Sequence, residues 1–104
     1  MSAAGRSQTV LVVDDDRQLL ELVRTVLLDA GFRVLTAEDG AEALKVAVES
    51  QEPIQLLLTD IVLPEMSGRK LAQCMGPLHP AMKILYMSGY GNNIVHREER
   101  SEEH

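Results

Sequence analysis

The stretch "VLVVDDD", Val10 to Asp16, decides how this chain reads. Valine and leucine in an unbroken run from Thr9 to Val13 have the makeup of a strand buried on both faces. The run then ends in three consecutive acids, Asp14, Asp15 and Asp16. Adjacent carboxylates raise one another's pKa unless a cation holds them. A buried strand that delivers three acids to its carboxyl end therefore asks for a positively charged partner.

Outward from this stretch the hydrophobic period changes. From Arg17, the residues Leu19, Leu20, Val23, Val26, Leu27 and Ala30 recur at three- and four-residue spacing, and Gly31 follows as a left-handed cap. That is an amphipathic helix, and Asp16, just ahead of it, reads first as its N-cap. "FRVLTA" is a second short strand. In "EDGAEALKVAVES", Asp39 is the N-cap, Glu42 completes a capping box, and Leu44, Ala47 and Val48 share the packed face of a second helix. "PIQLLLTD" is an apolar strand closed by Asp60, "IVLPEMSG" a loop punctuated by Pro64 and Gly68, and Arg69 to Met75 a short helix. "GPLHP" makes a turn, and "MKILYMSG" is a fourth apolar run ending in Ser88 and Gly89.

Strands alternating with helices predict an α/β fold: a doubly wound parallel sheet joined by right-handed crossovers, with helices on both faces. Ligands of such sheets bind outside the carboxyl ends of the strands, where the strand order reverses. Three predicted strands end there in Asp14 and Asp15, in Asp60 and in Ser88, so residues distant in sequence converge on one edge. Carboxylates with a hydroxyl and no sulfur or imidazole form a hard-oxygen site suited to Mg²⁺. Mg²⁺ in turn favours phosphate oxygens, and a carboxylate beside it can act as nucleophile.

Composition bounds the remaining choices. The 104 residues make one domain, and 45% apolar with 25% charged residues is ordinary for a globular protein. A net charge of −6, with no run of basic residues, speaks against direct nucleic-acid binding. No apolar run is long enough to span a bilayer and "MSAAGRSQ" lacks the apolar core of a signal peptide, so the expected location is cytoplasmic. The single cysteine, Cys74, excludes an internal disulfide and reads as a small packed side chain on a helix.

"VLVVDDD", then "LLLTDIVLPEMSG", then "ILYMSGY" together resemble the receiver domain of bacterial two-component response regulators, and the "MSGY" segment resembles receivers attached to hybrid sensor kinases. The resemblance covers residues 9–95, leaving a leader over 1–8 and a charged tail over 96–104. It implies a flavodoxin-like fold and a phosphoacceptor protein rather than an enzyme. Asp60 would be the phosphoacceptor and Ser88 the switch hydroxyl. Mg²⁺ would be held by Asp14, Asp15, Asp60 and the backbone carbonyl of Val62. The implied partner is a histidine kinase or phosphotransfer protein, and partner binding would change on phosphorylation.

The family's pattern continues with a fifth strand ending in Lys-Pro and a last helix. Here no lysine follows Lys83, and "REERSEEH" has no apolar run. The expectation is a receiver lacking its last strand and helix, truncated at the C-terminus, whose open sheet edge favours a homo-oligomer, most simply a dimer. Two alternatives remain. One is a degenerate receiver-like interaction module that no longer switches. The other is a phosphatase of the haloacid-dehalogenase type, which Asp14-x-Asp16 and "ILYMS" resemble; against it, position 18 is Gln, and Asp60 would have no purpose.

Overall fold

The computed structural model describes residues 8–87. In chain order the elements are β1 (Thr9–Val13), α1 (Arg17–Asp29), β2 (Arg33–Ala37), α2 (Gly40–Glu49), β3 (Leu56–Asp60), β4 (Val62–Leu63), β5 (Met66–Ser67), α3 (Gly68–Met75) and β6 (Lys83–Met87). Four parallel strands form the sheet in the order β2-β1-β3-β6. The chain steps outward from β1 to β2, then returns past β1 to β3, so the order reverses between β1 and β3. Acids at the ends of these two strands lie at that reversal.

All five residues of β1 are buried, as its unbroken apolar run predicts. Alternate side chains leave a strand on opposite faces. Leu11 and Val13 accordingly join Ala43 and Ala47 of α2 and Leu71 and Met75 of α3 in one core, while Val10 and Val12 meet Leu20 of α1 in the other. Each fully buried Val, Leu or Met side chain among these contributes about 1.5–3 kcal/mol relative to exposure. The sheet is thus held by apolar packing from both sides.

The helix boundaries follow local chemistry. Asp16 caps α1 by accepting from the N–H groups of Gln18 and Leu19 at 3.0 and 3.2 Å, and Gly31 just beyond its end has φ 98°, a conformation that favours glycine. Asp39 caps α2 by accepting from Glu42 N–H at 2.8 Å. The Glu42 carboxylate reaches back to the N–H of Glu38, one residue ahead of the usual capping-box position. Ser67 caps α3 through Lys70 N–H.

Several expectations from the sequence need correction. Val26 and Val48 do not face the core; they are 57% and 66% exposed. Each follows or precedes a packed position by one residue, about 100° of helical turn, which carries it off the packed stripe. Leu20, Val23 and Leu27 serve α1, while on α2 the buried Ala43 and Ala47 are joined by Leu44, as expected, and by Val46 in place of Val48. The third strand begins at Leu56, where pairing with Val10 and Lys83 begins, and not at Pro53. The "IVLPEMSG" loop contains an antiparallel ribbon in which Val62 pairs with Ser67 and Leu63 with Met66.

His79, in the turn between α3 and β6, escaped notice in the sequence. Its buried ring accepts from Ile54 N–H through Nδ1 at 3.1 Å and donates from Nε2 to the Ala47 carbonyl at 3.0 Å. One imidazole therefore ties the turn to α2 and to the approach of β3. Among the described residues β2 and β6 are the two edge strands of the sheet. The expectations of a missing last strand and helix fall on residues beyond 87, outside the described residues.

Candidate metal and phosphoacceptor site

The sheet register builds the site. Val13 of β1 pairs with Thr59 of β3, so the next residue on each strand, Asp14 and Asp60, stand side by side. Asp14 is anchored to β2 by its N–H, which donates to the Ala37 carbonyl at 3.2 Å. Carboxylate oxygens of Asp14, Asp15 and Asp60 all lie within 4.8 Å of one another. Their exposures are graded: Asp14 is 3% exposed, Asp60 half-buried and Asp15 open to solvent.

Burial pushes the carboxyl pKa of Asp14 up, the N–H of Asp16 opposes this, and the negative charges of Asp60, Asp15 and Asp16 push it further. Burial likewise raises Asp60, against hydrogen bonding from the N–H groups of Val62 and Ile61, and Asp15 adds repulsion. Among the described residues, backbone N–H groups and no side-chain cation relieve both acids. Three hard oxygen ligands, one of them buried, with no sulfur or nitrogen among them, fit a divalent cation of the Mg²⁺ class.

Asp16 belongs to α1. Its Oδ1 is committed to Gln18 and Leu19, while its own N–H donates to Asp14 Oδ1 at 2.8 Å. One Asp16 oxygen thus serves the fold as the helix cap the sequence predicts. Val62 follows Asp60 by two residues, with an exposed side chain and an N–H donating to Asp60 Oδ1 at 3.3 Å. Met87 pairs with Asp60 across β3 and β6; Ser88 lies outside the described residues.

Close backbone packing supports the end of β3 at Asp60. Gly68, the first residue of α3, donates its N–H to the Ile61 carbonyl at 2.8 Å, and a Cβ there would collide with the Asp60 carbonyl. Glycine at 68 is thus required by the approach of α3 to the end of β3. The turn residue Glu65 has φ 70°, in the left-handed region.

A family model described as the response regulator receiver domain matches residues 10–101. The chain belongs to this family. It is 37% identical over 81 residues to the response regulator receiver protein CpdR of Brucella abortus, covering 78% of this chain and 66% of CpdR. It spans 10–36% of further curated regulators and kinases that it matches. Among solved structures it is similar to the receiver domain of the hybrid histidine kinase CckA, with a TM-score of 0.74, 30% identity, and coverage of 81% and 78% of the two chains. It is also similar to a response regulator of Burkholderia pseudomallei solved with a phosphorylated aspartic acid and calcium, with a TM-score of 0.73, 29% identity, and coverage of 82% and 49%. The receiver fold expected from the sequence is therefore shown, with the acidic cluster consistent with a phosphoacceptor role. Among the described residues no helix is long and apolar enough to cross a membrane.

Proposed function

We propose that this receiver domain takes a phosphoryl group on the Asp60 carboxylate, with Mg²⁺ held by Asp14, Asp15, Asp60 and the Val62 carbonyl. The observation that carries the reading is the convergence of three carboxylates within 4.8 Å at the sheet's reversal point. The phosphorylated aspartic acid in the Burkholderia relative supports it. Bound there, Mg²⁺ supplies the positive charge that lets a carboxylate approach an anionic phosphoryl group.

This chain's residues then divide the work. An Asp60 oxygen attacks phosphorus in line with the leaving group, forming the O–P bond as the donor's P–N or P–O bond breaks. The leaving group keeps the electron pair of the broken bond, and a leaving imidazole takes up a proton from solvent. Val62 N–H orients the acceptor carboxylate, Asp14 and Asp15 hold the cation, and Ser88 hydrogen-bonds the phosphoryl oxygen. The domain acts as phosphoacceptor, not as a turnover enzyme. Its donor is a phosphohistidine on a kinase or phosphotransfer protein, in the cytoplasm, and its output is a change in partner binding. Self-association through the outer edge of β6 belongs to the same proposal, and sedimentation tests it.

Calorimetric titration with Mg²⁺ tests the cation site. Binding by wild type and its loss in Asp15→Asn support the reading; equal affinity in the two proteins overturns it. A receiver that binds Mg²⁺ but shows no phosphoryl transfer from any donor is the non-switching interaction module.

A further inference from the structure

The ribbon that follows Asp60 is fastened to the rest of the molecule at a point away from the acids. Met66 of β5 is half-buried and packs against the α2 side of the core. Its thioether lies over Gly40, the first residue of α2: a Cβ built on Gly40 would stand 2.5 Å from Met66 Sδ, 2.7 Å from Cγ and 3.0 Å from Cε. Real carbon–carbon contacts lie at about 3.5–4.0 Å, so the methionine occupies the space that any other residue at 40 would fill. Three consecutive atoms in that space make this a seat, not a grazing contact.

The seat is connected to the acceptor by a short path. Met66 pairs with Leu63 and Ser67 with Val62, while Val62 N–H donates to Asp60 Oδ1. Gly68 N–H closes the base of the ribbon on the Ile61 carbonyl. The far side of the ribbon is held by Met66 on Gly40. From this arrangement we infer that Met66, seated on Gly40, is a positioning residue for the phosphoacceptor: it holds the β4–β5 ribbon so that Val62 stays set against Asp60. The inference rests on the reading of Asp60 and Val62 given above. It deepens that reading by making the start of α2 part of what orients the acceptor.

The two glycines beside the ribbon separate fold from position. At Gly68 an added methyl meets backbone, the Asp60 carbonyl, and something structural must give. At Gly40 it meets a flexible side chain, which can swing out while α2, starting with alanine, gains helix propensity. Gly40→Ala therefore folds and empties the seat.

The experiment uses the full chain and two readouts, the amide proton shift of Val62 and the Mg²⁺ dissociation constant, beside the unfolding midpoint. Asp60→Ala marks where the Val62 amide proton goes without its acceptor. In Met66→Ala and in Gly40→Ala the Val62 proton moves toward that position, and the Mg²⁺ dissociation constant rises about tenfold, as for other supports of metal ligands. Met66→Leu, which conserves volume, restores both values. Because the two residues share one contact, adding Gly40→Ala to Met66→Ala changes the dissociation constant by no more than about twofold. A Val62 proton that stays in place in both variants, with only the unfolding midpoint altered, overturns the inference. So do effects that multiply as if the sites were independent. If wild type binds no Mg²⁺, the reading of the acids fails, and the Val62 shift alone still decides the role of Met66.

Discussion

The backbone N–H of Asp16 donates to Oδ1 of Asp14 at 2.8 Å, while the Asp16 carboxylate turns the other way, onto the N–H groups of Gln18 and Leu19. Two acids two residues apart in "DDD" thus have opposite assignments: Asp14 faces the site and Asp16 closes α1. Asp16→Ala should cost about 1 kcal/mol of stability, the usual loss for an N-cap. Its Mg²⁺ affinity should stay near that of wild type. Denaturant unfolding and calorimetry on the same sample check this; loss of Mg²⁺ binding at intact stability would move Asp16 into the site.

Asp14 and Asp60 both have carboxyl pKa values raised above the ordinary 3.8, first by burial. The native state therefore binds protons that the unfolded state releases at pH values between 3.8 and the raised values. For these groups, metal-free stability rises as pH falls through the native pKa values and is lowest once both are ionised. Mg²⁺ bound as proposed would reverse the sign by favouring the charged forms. Thermal unfolding in chelator should give a midpoint contribution that increases as pH falls toward 3.8 and is reduced in Asp14→Asn. With Mg²⁺ the stabilisation should be largest at neutral pH and fade in the same window.

His79 satisfies two backbone groups from different elements, Ile54 N–H and the Ala47 carbonyl. His79→Ala leaves the buried Ile54 donor unpaired, at a cost of about 1–3 kcal/mol, with the cavity adding to it. The site is remote from this turn, so a folded His79→Ala protein should bind Mg²⁺ with wild-type affinity. Urea unfolding and Mg²⁺ titration together test both halves.

Glu65 holds φ 70° without glycine's freedom. Glu65→Gly removes left-handed strain of about 1–2 kcal/mol and adds chain entropy to the unfolded state, for a net gain of about 0.5 kcal/mol. Unfolding measurements should show the variant at least as stable as wild type.

What the sequence disclosed and what it hid divide along physical lines. β1 was legible because a strand buried on both faces needs an unbroken apolar run, and Thr9–Val13 has one. The caps Asp16 and Asp39 act within their own turn, so local spacing suffices to read them. Asp14 and Asp60 could be joined because a doubly wound sheet sends carboxyl ends to one edge. The exposure of Val26 and Val48 was not legible, since helical spacing defines a face but not how wide a stripe the neighbouring sheet will cover. His79 and the Met66–Gly40 seat were hidden for another reason. Each depends on one side chain meeting backbone 25 or more residues away, at Ile54 and at Gly40, and no local pattern encodes such a meeting.

In the proposed function Asp60, and neither Asp14 nor Asp15, takes the phosphoryl group. Incubation with acetyl phosphate and Mg²⁺, followed by chemical trapping of the aspartyl phosphate and peptide mass mapping, tests it directly. The expected result is a single modified carboxylate at Asp60, dependent on Mg²⁺ and absent in Asp60→Asn. Modification at Asp14, or labelling that survives Asp60→Asn, would contradict it.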